Sequence, residues 1–419
     1  MILRIIFIII FILVGVLGHD PWKQDETYSF GIIYHFLTTN TWLVPYNAGI
    51  PFMEKPPLFY WTAVIFCKVF GGVLPLHDAA RLASFFYMLV ASFFICRITL
   101  LIPSPNPLPE GEGFPVLLPE GEGFPVLPLP LGEGRGEGKS DRIIFTTLAI
   151  FLGTIGIIRH SHDMFTDTAL LAGSTIALYG VMSLIIQKTL KSGFYIGLGI
   201  GISFLSKGLL IPVIYTLSGV IFLLTMPELR SKNTYKAILL AIIIALPFLT
   251  IWGFLLFQES PALFNEWFIE NNIGRFLGFS VAKLGADNPP FYMFYTILWF
   301  AFPTFPLALF CIYKNAKKLK QPEIFAPLVI SSVGFLLLAS SSSARALYIL
   351  PLIPAFTILA IQVLSEIPEK FLFYWNKTAK IIFIIAAISI WIIWINLGLE
   401  TNNQFLPQKI MSLIGKQLP

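Results

Sequence analysis

Long apolar runs separated by short polar connections recur along almost the whole chain. Runs of about 18 residues or more suit a helix that crosses a bilayer core roughly 30 Å thick. The pattern therefore predicts an all-α polytopic membrane protein with about eleven transmembrane helices. The predicted spans lie near 3–18, 81–102, 142–158, 168–187, 192–206, 208–226, 237–257, 291–313, 323–340, 346–364 and 380–398.

The stretch 192–226 admits two interpretations, because Lys207 and Gly208 interrupt its apolar sequence. One long helix or two crossings would place everything downstream on opposite sides of the membrane. Cytoplasmic loops usually carry an excess of Lys and Arg. With two crossings, the loops predicted to face the cytoplasm hold twelve Lys or Arg residues, whereas the outward connections after the third span hold five. We therefore predict two helices here, a topology that places every candidate functional charge on the outer face.

The connection between the first two spans, residues 19–80, is too long for a simple loop. Within it, 29–38 and 58–70 are apolar and aromatic but too short to span, which predicts helices lying along the membrane interface. Residues 1–18 have the apolar run of a signal peptide, but Val16-Leu17-Gly18 is a poor cleavage site, so we predict an uncleaved first helix. Either interpretation leaves residues 25 and 26 on the outer side.

A tandem repeat interrupts the chain after the second span. The ten residues 108–117 recur identically at 118–127, and they are dense in Pro and Gly, which can hold neither a helix nor a packed core. We predict that 103–139 is a disordered cytoplasmic insertion without a catalytic role. The predicted organisation is then 1–102 (first helix, catalytic outer loop and second helix), 103–139 (the insertion), 140–398 (the remaining membrane helices) and 399–419 (a short tail).

The composition narrows the function classes. The chain is 56% hydrophobic with a mean hydropathy of +0.79, and its net charge of +5 is a loop bias, not the signal of a nucleic-acid-binding protein. Cys67, Cys96 and Cys311 lie in or beside apolar segments without paired spacing, so neither a disulfide framework nor a metal site follows from them.

Acidic residues and a lysine stand out just beyond the first span. Asp25 and Glu26 are candidate catalytic residues, because a carboxylate at the membrane surface can accept a proton from an attacking hydroxyl. The alternative is a pair of acids at a solvated helix N-terminus. Glu54-Lys55-Pro56-Pro57 presents a lysine from a stiff turn, which suits a phosphate oxygen better than it suits a snorkelling side chain.

Further charges are predicted on the same face. Lys207, Arg275 and Arg345 could each be ordinary topological charges, but together with Lys55 they provide the cations that a phosphate at the lipid surface would need. Asp167 is a candidate polar contact at the mouth of the cavity. His160, His162, Asp163 and Asp167 could together bind a divalent metal, but the two histidines are not at helical i, i+4 spacing and no fixed third ligand is evident; neither a metal nor a cofactor is predicted. The sequence shows no Gly-rich phosphate loop, and its lack of a soluble nucleotide-binding domain favours a donor dissolved in the membrane over a nucleotide-sugar.

A family resemblance joins these motifs. Asp25-Glu26, then Trp42-Leu43-Val44-Pro45, then the motif from Glu54 to Trp61 is similar to the opening of bacterial integral-membrane glycosyltransferases of the aminoarabinose transferase and protein O-mannosyltransferase superfamily, which have the GT-C fold. The similarity covers roughly residues 1–364 apart from the repeat. It continues through Arg81–Ser84, Asp167–Leu170, Gly201–Gly208, Glu270–Phe276 and Tyr348–Pro354.

The resemblance implies a function as well as a fold. Such enzymes move a sugar from a polyprenyl-phosphate carrier to a lipid (lipid A or lipopolysaccharide), glycan or protein acceptor outside the cytoplasmic membrane of a bacterium. By position, Asp25 matches the proposed catalytic base and Lys55 the lysine that binds the carrier phosphate, whereas Glu54, Lys207, Arg275 and Arg345 match polar positions around that cavity. Glu270-Asn271-Asn272 stands where a Glu-His pair is common in relatives, so the metal of some relatives is not expected here.

The expected reaction is a direct displacement with inversion at the anomeric carbon. Two other classes of protein remain open. A transporter or flippase for a lipid-linked sugar also has many spans, but it predicts paired broken helices and charges near the midplane. A catalytically inactive membrane protein is the second alternative, because of the inserted repeat.

Overall fold

The architecture is known from a computed structural model, which describes residues 2–102, 137–280, 288–341 and 343–398. The chain divides into two compact units, 1–363 and 364–419. In the second unit the described part is a short 3₁₀ turn, Leu364–Glu366, followed by one long helix, Glu369–Gly398. The predicted insertion falls almost wholly on residues outside the described ranges, and so does the predicted tail at 399–419.

The first unit begins with four helices and one tiny hairpin: α1 (Ile2–Leu13), α2 (Gln24–Thr39), β1 (Tyr46–Asn47), β2 (Ile50–Pro51), α3 (Leu58–Phe70) and α4 (Leu76–Leu101). Ala48 and Gly49 both have positive φ, 51° and 81°, as a tight two-residue hairpin turn requires. This reversal returns the chain toward α2, and α3 starts directly after Pro56 and Pro57. The two predicted interfacial segments of the outer loop are therefore both helical.

In its described parts, the remaining secondary-structure elements of the first unit are all helices or helical turns. Its elements are α5 (Glu137–Leu152), α6 (Ile155–His160), α7 (Thr166–Gln187), α8 (Lys191–Lys207), α9 (Leu210–Thr225), a 3₁₀ turn (Pro227–Leu229), α10 (Lys232–Glu259), α11 (Pro261–Asn265), a π-helix (Glu266–Gly274), α12 (Arg275–Leu277), α13 (Tyr292–Phe300), α14 (Thr304–Lys314), α15 (Pro322–Ser340), a 3₁₀ helix (Ala346–Leu352) and α16 (Ile353–Ile361). With the long helix Glu369–Gly398 as α17, these elements confirm the all-α fold class.

Helix lengths do not confirm the predicted count of eleven spans. Among the described residues, five helices are long and apolar enough to cross a membrane, and a sixth span results if α13 and α14 are taken as one segment bent by 98°. The bend lies at Pro303, whose ring cannot continue a helical hydrogen-bond pattern. The predicted span at 346–364 likewise begins as a 3₁₀ helix, which contains Pro351. Apolar run length alone does not reveal such breaks.

The ambiguous stretch 192–226 forms two helices, as predicted. Helix α8 ends at Lys207 and α9 begins at Leu210. Between them Gly208 has φ +85°, and a Cβ built on it would lie 1.9 Å from Oδ1 of Asn272. That same oxygen accepts a hydrogen bond from the backbone N–H of Leu209 at 3.3 Å. Only glycine fits this position, so the break that presents Lys207 is built into the sequence.

Helix α7 is the centre of the first unit, with 94% of its most apolar window buried inside the protein. Its partner α8 approaches so closely that a Cβ built on Gly199 would lie only 2.4 Å from the backbone nitrogen of Ala177. The absence of a side chain at Gly199 therefore allows this packing. Asp167 stands in the first turn of α7, and Lys207 is the last residue of α8. The pairing of these helices thus brings the two charges to the same end of the bundle.

Candidate active site

Asp25 and Glu26 both lie in the first turn of α2, where negative charge is favourable at a helix N-terminus. Adjacent helical residues point about 100° apart, so the two carboxylates take different surroundings. Asp25 lines an open polar cavity. Glu26 is fully buried. The structure therefore separates two residues that the sequence presents as a pair.

Glu26 belongs to an interior ion network centred on Arg81. Its Oε1 accepts hydrogen bonds from Nε of Arg81 and from the backbone N–H of Met164, both at 3.0 Å. Nη1 of Arg81 also donates to the carbonyl of His19 at 2.8 Å and to Oδ1 of Asp78 at 2.9 Å. The network ties the chain after α1, the first turn of α2 and the loop before α7 to helix α4. It fixes the backbone on both sides of the cavity.

Lys55 and Asp25 are connected through one phenol. The hydroxyl of Tyr28 donates a hydrogen bond to Oδ1 of Asp25, and Nζ of Lys55 lies 3.4 Å from the same hydroxyl oxygen. The ammonium also stands 5.4 Å from the centroid of the Tyr28 ring. Burial, together with the hydrogen bond to Asp25, raises the pKa of the Tyr28 phenol well above its ordinary value, so the phenol stays protonated and remains a donor.

Glu54 faces the cations of the site. Its Oε1 accepts a hydrogen bond from Nη1 of Arg275 at 2.9 Å. Burial of this carboxyl tends to raise its pKa, but the positive charges of Lys55, Arg275 and Arg345 outweigh burial and lower the pKa to about 2. Glu54 is therefore ionised at neutral pH, and it holds the guanidinium of Arg275 in place.

Asp167 and Lys207 form an ion pair at the end of the α7–α8 pair. The ammonium of Lys207 lies 4.2 Å from the centroid of the Tyr348 ring. Asp167 is almost fully buried behind this lysine. The carboxylate therefore orients Lys207 and is not itself among the residues that line the two cavities described next.

Two cavities meet at one wall, which is formed by Glu54, Lys55, Lys207 and Tyr348. The first has a volume of about 290 Å³ and largely apolar sides, among them Leu209, Val213, Phe276, Leu277 and Leu337. The second has a volume of about 320 Å³ and contains Asp25, Arg159, His160, Tyr292, Trp299 and Arg345. A ligand with a hydrophobic tail and an anionic head group could therefore place its tail in the first cavity and its head group at the shared wall.

Most of the candidate residues thus come together. Asp25, Glu54, Lys55, Lys207, Arg275 and Arg345 line one or both cavities. Sequence reasoning missed Tyr28 and Arg159. A signal for Tyr28 existed, since it follows Asp25 by three residues and three-residue spacing places two side chains on one helical face. Arg159 stacks its guanidinium 5.9 Å from the centroid of the Trp299 ring, a contact that no sequence spacing reveals.

The candidate metal residues have other partners. Asp163 accepts hydrogen bonds from Nζ of Lys23 at 2.8 and 3.0 Å, and Nδ1 of His160 lies 3.3 Å from its Oδ2. Burial raises the pKa of Asp163, but its bonds to His160 and Lys23 outweigh burial and lower it. Within the described parts of the chain, no three His, Cys, Asp or Glu side chains stand close enough to hold a metal ion.

Comparison with known proteins finds similarity to curated sequences and to solved structures. No family model matches the chain. It is 23% identical over 356 residues to the undecaprenyl phosphate-alpha-4-amino-4-deoxy-L-arabinose arabinosyl transferase of Photorhabdus laumondii subsp. laumondii, a match that covers 83% of this chain and 56% of that protein. The transferase of Pseudomonas savastanoi pv. phaseolicola is also 23% identical, over 83% of this chain and 58% of its own length. The chain thus spans about half the length of the curated relatives it matches.

Solved structures show the same fold. The crystal structure of ArnT from Cupriavidus metallidurans bound to undecaprenyl phosphate matches 96% of this chain and 66% of its own, with a TM-score of 0.69 and 17% identity. The apo structure of the same protein matches with a TM-score of 0.67 and 18% identity. The resemblance to the aminoarabinose transferase superfamily and the GT-C fold are confirmed. The chain is a multi-pass membrane protein.

Proposed function

We propose that this chain transfers a sugar from a polyprenyl-phosphate carrier to a lipid, glycan or protein acceptor at the outer face of the cytoplasmic membrane of a bacterium. One observation supports this most strongly: a carboxylate, Asp25, and a cation, Lys55, lie in one cavity and contact the same hydroxyl. The relatives named above are arabinosyl transferases that use an undecaprenyl phosphate-linked sugar, and one solved structure holds undecaprenyl phosphate.

The apolar cavity is suited to the lipid tail of the carrier. Its aliphatic and aromatic sides lead to the shared wall with Lys55 and Lys207, and Arg275 also lines this cavity. Lysine and arginine are the usual partners of phosphate oxygens. Two of the site's cations, Lys55 and Arg345, have no carboxylate within salt-bridge distance among the described residues. Their charge is therefore available to an anionic ligand.

The polar cavity is suited to the acceptor. Oδ2 of Asp25 would accept the proton of the acceptor hydroxyl as its oxygen attacks the anomeric carbon. The bond between that carbon and the phosphate oxygen breaks, and the polyprenyl phosphate leaves with the electron pair. The product is the inverted glycoside, and the proton ends on Asp25. No covalent intermediate with the protein is required.

Stabilisation of the transition state by preorganised charge would supply most of the rate enhancement. The leaving phosphate gains negative charge in the transition state, and Lys55, helped by Arg275 and Arg345, would stabilise that charge. A single well-placed donor can be worth about 3–4 kcal/mol in such a site. Glu54 and Asp167 would act indirectly, by holding Arg275 and Lys207 in position.

The proposed role of Glu26 follows from its burial. Because its carboxylate is engaged by Arg81 and by the N–H of Met164, it has no exposed oxygen to offer an acceptor. We assign the proton transfer to Asp25 alone and give Glu26 the task of fixing the first turn of α2. The outward orientation of the site rests on the distribution of Lys and Arg between the two sets of loops.

Membranes supply a direct test. Vesicles from a strain that lacks the gene contain the native donor and acceptor, and mass spectrometry would identify envelope lipids and glycans that lack a sugar. Adding the purified protein should restore the missing mass, and Asp25→Asn should not. Full restoration by Asp25→Asn, or an unchanged envelope in the deletion strain, would contradict the proposed function.

A further inference from the structure

We infer that Tyr28 is a positioning residue that couples the proposed base to the proposed phosphate-binding cation. The inference rests on the proposed function and deepens it. Tyr28 is not among the residues that line either cavity. It lies behind two that do, Asp25 and Lys55.

The hydrogen bonds of Tyr28 have a fixed direction. A phenol has one proton to donate and lone pairs to accept with. An ammonium can only donate, so Lys55 donates to the Tyr28 oxygen, and Tyr28 donates its own proton to Oδ1 of Asp25. With Oδ1 occupied in this way, Oδ2 is the oxygen that is left to receive the acceptor's proton. The phenol thereby selects which carboxylate oxygen accepts the proton.

The ring of Tyr28 has a separate effect on Lys55. The ammonium lies 5.4 Å from the ring centroid, and the ring also contacts Phe52, whose ring centroid is 5.1 Å away. Phe52 follows β2 directly, so the hairpin holds the ring and the ring holds the ammonium. Attraction between a cation and an aromatic face keeps Lys55 near the shared wall without neutralising it, as a carboxylate would.

The two effects can be separated by substitution. Tyr28→Phe removes the hydroxyl but keeps the ring, whereas Tyr28→Leu removes both. The matched control is Tyr34→Phe, which makes the same change on the same helix at a side chain that is half exposed. All variants are compared in the vesicle assay above. Undecaprenyl phosphate serves as a competing probe whose half-inhibiting concentration reports on the carrier site.

We expect Tyr28→Phe to lower the transfer rate by about tenfold or more, the effect of losing a hydrogen bond to a charged group. Its half-inhibiting concentration of undecaprenyl phosphate should stay within about twofold of wild type, because the ring still holds Lys55. Tyr28→Leu should show the same loss of rate, and its half-inhibiting concentration should rise by about threefold or more. Tyr34→Phe should match wild type in both measurements.

Several results would overturn the inference. These are a wild-type rate in Tyr28→Phe, an equal rise of the half-inhibiting concentration in both Tyr28 variants, or a Tyr28→Leu variant that binds the probe as wild type does. Loss of activity in Tyr34→Phe would show that any phenol on this helix matters. Asp25→Asn, measured in parallel, distinguishes failure of the proposed function from failure of the role given to Tyr28. If Asp25→Asn is active, the proposed function fails. If Asp25→Asn is inactive while Tyr28→Phe has the wild-type rate, only the role of Tyr28 fails.

Discussion

Nε of Arg81 donates to Oε1 of Glu26 over 3.0 Å, and neither side chain is exposed to solvent. Taking both charges out of water is expensive, so such a pair is retained where its geometry matters. Here the pair lies beside the candidate active site. Met164, which also donates to Glu26, leads into the first turn of α7, and Glu26 adjoins Asp25. Through Glu26, one buried arginine therefore ties the first turn of α2, which carries the proposed base, to the backbone just before α7.

Removing one partner of this pair should destabilise the protein strongly. In Arg81→Met the carboxylates of Glu26 and Asp78 lose their buried cation, and a loss of about 3–5 kcal/mol is expected. In detergent, the variant should melt at a clearly lower temperature than wild type. Arg97→Met, in the same helix but at an exposed site, is the control. A melting temperature of Arg81→Met equal to that of the control would show that the network contributes little.

Asp25→Asn and Lys55→Ala should each abolish sugar transfer and leave a folded membrane protein. The first removes the proton acceptor, and the second removes a cation that has no carboxylate within salt-bridge distance among the described residues. Both side chains lie at a cavity, so neither change leaves a buried unpaired charge. Transfer is measured in the vesicle assay, and folding by the melting temperature in detergent. Activity in both variants would remove the central residues of the proposed mechanism.

Glu54 should make the stability of the protein depend on pH at acidic values. Its pKa is about 2 in the folded protein, against an ordinary value of 4.5. A carboxyl with a lowered pKa stabilises the fold fully above its ordinary pKa, and this stabilisation is lost as the pH falls toward the folded value. At neutral pH the contribution is at most about 3 kcal/mol.

Comparison with Glu54→Gln isolates this contribution. The melting temperatures of the two proteins should differ most above about pH 5 and converge as the pH falls from 4.5 toward 2. Asp163, whose pKa is also lowered, is present in both proteins and cancels in the difference. A difference that stays constant across this range would contradict the ionised state of Glu54.

Removal of the tandem repeat should leave folding and activity unchanged. Helix α4 ends at Leu101 and α5 begins at Glu137, so a short Gly-Ser linker in place of 103–136 spares both helices. The repeat lies at the predicted cytoplasmic end of α4, far along the chain from the motifs of the outer loop. Expression, melting temperature and transfer should match those of the full chain. Loss of folding or transfer would show that the repeat is part of the machinery.

The sequence predicts the helices well because long apolar runs leave few alternatives. It also predicts the break after Lys207, where the count of positive charges decided between one helix and two. It does not predict which of two adjacent acids is buried. Asp25 and Glu26 have the same chemistry, and only the position of Arg81 on another helix, 55 residues away, distinguishes them.

The breaks within spans show a second limit. Hydropathy measures how apolar a run is and not whether its axis is straight, so the segment 291–313 is predicted as one span although it bends by 98° at Pro303. The Tyr28 contacts show a third limit of prediction from the sequence. The spacing from Asp25 places both side chains on one face, but the hairpin that brings Lys55 to the same hydroxyl is a tertiary feature.

The two cavities lie on either side of the wall that they share. Under the proposed function, the spent carrier would slide out among lipids past Val213 and Leu337, while the finished glycoside would depart past Tyr292 and Trp299. Neither molecule would have to wait for the other. A lineage could then acquire a new acceptor through substitutions in the polar cavity alone, while the residues that bind the carrier stay unchanged.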